Sequence, residues 1–200
     1  RNLGRFDQAL VSYDSALAIE PDFLPALSGR AHTLTTLKRY DEAYATFARL
    51  VVLRPDQAEI RNNQGIPLLK MKRFEAALDC FDSALRLKAD YAAAHNNRGT
   101  ALQSLGRFDE ALSAFDKAIA LDPNYAQAYN NHGTALFDLE RFDDAISSYD
   151  RAIALWSDNP EALTNRGLAL MELARAREAI TNFDAALACE PNYAERSEEH

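Results

Sequence analysis

Asn96-Asn97-Arg98-Gly99-Thr100-Ala101-Leu102 returns as Asn130-Asn131-His132-Gly133-Thr134-Ala135-Leu136, and Arg107-Phe108-Asp109-Glu110-Ala111-Leu112 returns as Arg141-Phe142-Asp143-Asp144-Ala145-Ile146. Both echoes are offset by 34 residues. A fixed period of this length marks an array of small supersecondary units, none of which can bury its apolar face alone. Stacking joins those faces into one continuous core. Such an array presents surface to other molecules more readily than it builds a pocket for chemistry.

The register extends in both directions. Full repeats read 24–57, 58–91, 92–125, 126–159 and 160–193, residues 1–23 form the second half of an earlier repeat, and 194–200 open another or form a tail. An arginine begins every second half: Arg5, Arg39, Arg73, Arg107, Arg141 and Arg175. An aromatic follows in all but the last, where Ala176 stands. Then come an alanine (Ala9, Ala43, Ala77, Ala111, Ala145, Ala179) and, four residues on, a ring (Tyr13, Phe47, Phe81, Phe115, Tyr149, Phe183). Spacings of three and four mark one face of an α-helix. The first halves follow the same logic, with Gly65, Gly99, Gly133 and Gly167, Ala31 in the first, each followed by a leucine.

Each repeat is therefore read as two antiparallel helices, with glycine on one expected to face alanine on the other so that the backbones come close. Acidic residues open the second helices, where the helix dipole favours negative charge. Pro21, Pro55, Pro123 and Pro191 are expected to end those helices. Two departures stand out: Pro67 falls inside a first helix, where a kink is expected, the alternative being a widened groove, and Trp156 replaces a polar helix end, where its ring is expected to pack on its own turn, the alternative being a partner contact.

Hydrophobic residues make up 48% of the chain and charged residues 26%, the balance of a folded, soluble protein. No apolar run reaches the ~18 residues that would span a bilayer. A net charge of -8 argues against nucleic acid, which needs a basic stripe. Cys80 and Cys189 fall at different places in the repeat, so a disulfide between them is not expected. Two isolated thiols fit a reducing compartment such as the cytoplasm. Residue 1 falls inside a repeat, so the chain reads as a piece of something longer, and the lack of a leader says nothing about targeting.

These columns resemble the tetratricopeptide repeat across essentially all 200 residues. The repeats also look like the arrays that precede the catalytic half of bacterial proteins similar to protein O-GlcNAc transferases. The resemblance implies an all-α fold: a right-handed superhelical solenoid of antiparallel helix pairs, whose first helices line a concave groove that holds peptides. It places Asn63, Asn97, Asn131 and Asn165 on that groove as a ladder of amides, with Asn62, Asn96 and Asn130 beside them and Thr100 and Thr134 one turn on. An amide donates and accepts at once, so a ladder can grip an extended backbone with little regard to side chains. The competing reading has the asparagines bonding to the loop of the preceding repeat and merely fixing inter-repeat geometry. The groove positions that would hold a chaperone C-terminus carry Ser28, His32, Glu59, Asn62, Ile66, Ala93 and Asn97, which is no carboxylate clamp.

Nothing in the sequence points to catalysis, a cofactor or a metal. His32, His95 and His132 share no spacing that would make a metal site, and neither a phosphate loop nor a nucleophile motif is present. The expected function is a non-catalytic scaffold for protein or peptide partners, the recognition arm of a larger protein. The alternative is a structural module that self-associates through its ends, where Phe6, Ala9 and Tyr13 lack a first helix to cover them.

Overall fold

A computed structural model describes residues 3–189, with side chains from residue 5. Pro191, the close of the 160–193 repeat and the proposed start of another at 194–200 lie outside the described residues. Within them all regular structure is helical: α1 (Leu3–Ile19), α2 (Leu24–Thr36), α3 (Tyr40–Leu53), α4 (Ala58–Lys70), α5 (Phe74–Leu87), α6 (Ala92–Ser104), α7 (Phe108–Leu121), α8 (Ala126–Asp138), α9 (Phe142–Leu155), α10 (Pro160–Glu172) and α11 (Ala176–Cys189). The helices form two compact units, α1 to α6 and α7 to α11. Within the first, α1 to α6 pack each on the next, and α4 also meets α6; within the second, α7 to α11 do the same, and α8 meets α10.

Each first helix that can be compared stops in one way. Lys38, Lys72, Glu140 and Ala174 take left-handed backbone, with φ between 56 and 60 degrees, and Gly106 does so at 73 degrees. The arginine that follows sends its N–H back to a buried leucine carbonyl: Arg39 to Leu34, Arg73 to Leu68, Arg141 to Leu136 and Arg175 to Leu170, all at 2.9 Å. This is the Schellman closure, which pairs carbonyls that a helix end leaves open. The invariant arginine thus closes one helix with its backbone and starts the next with its side chain. Arg39, Arg107, Arg141 and Arg175 hold Glu42, Glu110, Asp144 and Glu178, respectively, in the first turn of the second helix.

Proline does not set the end of the second helices. The helices α5 and α9 stop in the same register as α3 and α7, although Ala89 and Ser157 stand where the others have proline. Pro67 does not end its helix either, since α4 runs on to Lys70 with the proline buried. Trp156, expected to pack on its own turn, is 51% exposed.

The glycines correct one expectation. A Cβ added to Gly65 would stand 2.5 Å from the Phe81 ring, one on Gly133 2.6 Å from Tyr149, and one on Gly167 2.5 Å from Phe183. Glycine therefore faces the ring of its own second helix, not the alanine. The physical reason is size: the ring reaches across the pair and needs the missing methyl. The alanines Ala43, Ala77, Ala111, Ala145 and Ala179 are all wholly buried on their own account. In the first full repeat Ala31 replaces the glycine and packs with Phe47, Leu27 and Leu50.

Candidate binding surface: two rows of asparagine

Neighbouring residues on a helix point about 100° apart, and that single step splits the paired asparagines into two rows. Asn62, Asn96 and Asn130 are the inner row, 3%, 4% and 0% exposed. Asn63, Asn97, Asn131 and Asn165 are the outer row, each half-buried. In the first unit the Asn97 amide donates to Asn62 Oδ1 at 2.9 Å. In the second, Asn165 donates to Asn130 Oδ1 at 3.1 Å and reaches Thr134 Oγ1 at 3.5 Å.

The inner amides are held from their other side as well. Asn62 donates to Asn63 Oδ1 at 3.2 Å, and Asn130 donates to Glu161 Oε1 at 3.0 Å. Gln127 donates to Asn131 Oδ1 at 3.0 Å. Glu161 and Gln127 are parts of this network that the sequence reading passed over. Thr100 and Thr134, half-buried, donate to the carbonyls of Asn96 and Asn130 on their own helices.

An amide offers two N–H donors and an oxygen with two lone pairs. Asn97 uses one N–H on Asn62, which among the described residues leaves it a second N–H and its carbonyl oxygen. Among the described residues Asn165 keeps its carbonyl oxygen, and Asn63 keeps its N–H pair. The inner asparagines thus fix Asn97 and Asn165, and among the described residues Asn63, Asn97 and Asn165 retain bonding capacity.

A second network links repeats elsewhere on the first helices. Arg30 pairs with Asp14 at 2.8 Å, Arg98 with Asp82 at 2.6 Å and Arg166 with Asp150 at 2.6 Å, each an acid 16 residues back on the preceding second helix. His132 holds this place against Asp116 at 3.3 Å, with its Nδ1 2.9 Å from Ser148 Oγ. At Gln64 the row changes on both sides together, because position 48 is alanine. Burial pushes His132 below its usual value, with Asp116 opposing, so at neutral pH it is an uncharged member of an ionic row.

Cys80 Sγ lies 3.7 Å from Gln64 Oε1, and burial raises its pKa to about 11, which leaves an unreactive thiol. Among the described residues no group of three or more His, Cys, Asp or Glu side chains could hold a metal ion, and no helix is long and apolar enough to cross a membrane.

Four family models match, three described as tetratricopeptide repeat over residues 3–63, 92–125 and 130–194, and one described as TPR repeat over 65–106. No curated protein sequence matches. Among solved structures, the chain is similar to the Cut9–Hcn1 hetero-tetramer of the APC/C, at 20% identity and a TM-score of 0.84 over 98% of this chain and 39% of that one. It is similar to TTC0263, a thermophilic TPR protein of Thermus thermophilus, at 24% identity and 0.74 over 82% and 90%. It is also similar to YrrB, described as a TPR protein with an unusual peptide-binding site, at 19% identity and 0.62 over 94% and 98%.

Proposed function

The chain belongs to the tetratricopeptide repeat family, and from that premise we propose that it is a non-catalytic scaffold holding extended peptide segments of protein partners along Asn63 and Asn97 in the first unit and along Asn131 and Asn165 in the second. The observation that carries the reading is the division of labour between the rows. Buried inner amides lock Asn97 and Asn165 in place, and Asn63, Asn97 and Asn165 retain donors or acceptors among the described residues. A pre-fixed row grips a backbone with little ordering cost. Asn62, Asn96 and Asn130 then act as supports, and Thr100 and Thr134 as flanking hydroxyls. The likeness of YrrB, a protein with a peptide-binding site, supports the class of ligand.

The finer role, a recognition arm for a catalytic partner domain, rests on the resemblance to arrays that precede O-GlcNAc transferase-like catalytic halves. Free Cys80 and Cys189 agree with a reducing compartment such as the cytoplasm. The test is titration of the chain with immobilised blocked peptides of random sequence. Asn63→Ala should weaken the bound set by about five- to a hundredfold, with the melting temperature lowered by only about 2–4 °C, the loss of the Asn62–Asn63 bond. Unchanged binding by that variant refutes the reading.

A second reading, self-association through the ends, draws on one observation. Ile180 occupies the place of Leu78 and Ile146, which are 8% and 7% exposed, yet it is 58% exposed, and Leu187 beside it on α11 is 73% exposed. At the other end Phe6, Ala9 and Tyr13 are only half-buried. Sedimentation over a concentration range decides between a scaffold and an assembling module: Ile180→Glu should abolish any oligomer that forms through α11.

A further inference from the structure

Ser28 stands on α2 where the next three first helices carry Asn62, Asn96 and Asn130, so the inner row is broken at its start. The consequence falls on Asn63. Asn97 and Asn165 each give an N–H to the inner asparagine 35 positions back. For Asn63 that position is Ser28, and its Nδ2 has no partner among the described residues. A cavity of about 220 Å³, lined by both Ser28 and Asn63, opens between α2, α3 and α4. Its apolar wall is Leu24, Phe47, Leu50 and Ile60, with the His32 ring set edge-on to Phe47 at a centroid distance of 5.4 Å.

Charge at the rim is one-sided. Glu59 is 3.6 Å from Lys88 and thereby answered, whereas Arg54, also lining the cavity, has no ion pair among the described residues. The volume is below the ~300–1,000 Å³ of a drug-sized pocket. It suits one side chain.

We propose that this cavity is the specificity pocket of the asparagine row, taking an aliphatic side chain of leucine or methionine size from an extended peptide whose next residue is acidic. The proposal rests on the peptide-binding reading and adds selectivity to it. The amide row reads backbone alone, so it cannot tell one peptide from another. The break at Ser28 supplies an apolar recess beside an outer asparagine whose two N–H groups are open among the described residues. The peptide's carbonyl meets Asn63, its aliphatic group enters between Leu24 and Ile60, and its carboxylate reaches Arg54.

A positional library of blocked octapeptides, fixing one residue type at a time and read by fluorescence anisotropy, tests this. Wild type should select Leu, Ile or Met followed by Asp or Glu, and Leu→Ala in the selected peptide should weaken it about tenfold to a hundredfold. Ser28→Asn restores the missing amide and fills the recess. It should remove the aliphatic preference and cost the selected peptide about tenfold or more, with the melting temperature held or raised. Leu24→Ala enlarges the recess instead and should shift the preference toward Phe, which keeps the test valid if Ser28→Asn folds poorly.

A library that binds without aliphatic selection, or a selection that survives Ser28→Asn, overturns the pocket and leaves the asparagine reading standing. No binding by any peptide overturns both.

Discussion

Asn97 donates its side-chain N–H to Asn62 Oδ1 at 2.9 Å, across one full repeat. Asn62 is 3% exposed, so its Oδ1 has little access to water while the Asn97 side chain covers it. Asn97→Ala should therefore strand a buried acceptor and destabilise the fold by about 1–3 kcal/mol. Asn63→Ala removes the longer, 3.2 Å acceptor of the same Asn62 amide within one helix and should cost less, about 1 kcal/mol. Urea denaturation of the two variants checks this; equal losses would mean that the Asn97–Asn62 bond does not hold the repeats together.

The contact between Gly133 and Tyr149 gives a second expectation. Gly133→Ala drives a methyl into the ring, an overpacking cost of about 1–3 kcal/mol, offset by ~1 kcal/mol of helix propensity. The net loss should reach about 2 kcal/mol at most by those two figures. In a Tyr149→Leu background the same change should be neutral or stabilising. A loss that is the same in both backgrounds would place the clash elsewhere.

Glu140 and Ala174 hold left-handed backbone that costs an L-residue about 1–2 kcal/mol. Glu140→Gly should raise stability by about 1 kcal/mol. Gly106→Ala should lower it by a similar amount although nothing lies within 4 Å of the added methyl. Thermal melts read both, and a neutral Gly106→Ala would contradict the Schellman account.

His132 sets a pH dependence. Burial holds its pKa below 6.5 in the folded chain, so the unfolded chain binds the proton more readily. Its contribution is complete above the unfolded value and is lost as pH falls from there through the lower folded value. His132→Arg restores the residue found at positions 30, 98 and 166, with Asp116 already in place. Relative to wild type, the variant should gain stability as pH falls from about 7 to about 5. Parallel stability curves for the two chains would show that His132 does not titrate on unfolding.

The period and helix pairing are legible because each helix type begins every 34 residues without an insertion. The two asparagine rows are not separable by sequence, since Asn96 and Asn97 are adjacent and only the rotation of α6 decides which one is buried. The glycine partner differs from the expected one for a related reason: spacing tells which residues share a face, not which residue on the facing helix meets them. The Arg–Asp row leaves a usable signal. Arg30, Arg98 and Arg166 each have an aspartate 16 positions before, and Gln64 has Ala48, so both sides change together. The left-handed stops are hidden because Lys38, Lys72, Glu140 and Ala174 are not residues that such backbone favours.

The central claim is that the outer asparagines hold a peptide by its backbone. The direct measurement takes the tightest octapeptide and methylates its backbone amides one at a time, then truncates its side chains one at a time, with affinity read by anisotropy. Methylation of the amides facing Asn97 and Asn63 should weaken binding about fivefold or more each, and truncation of side chains other than the recessed aliphatic one and the acid beside it should change it less than about twofold. Binding that tolerates every methylation while side-chain truncations abolish it would contradict the account.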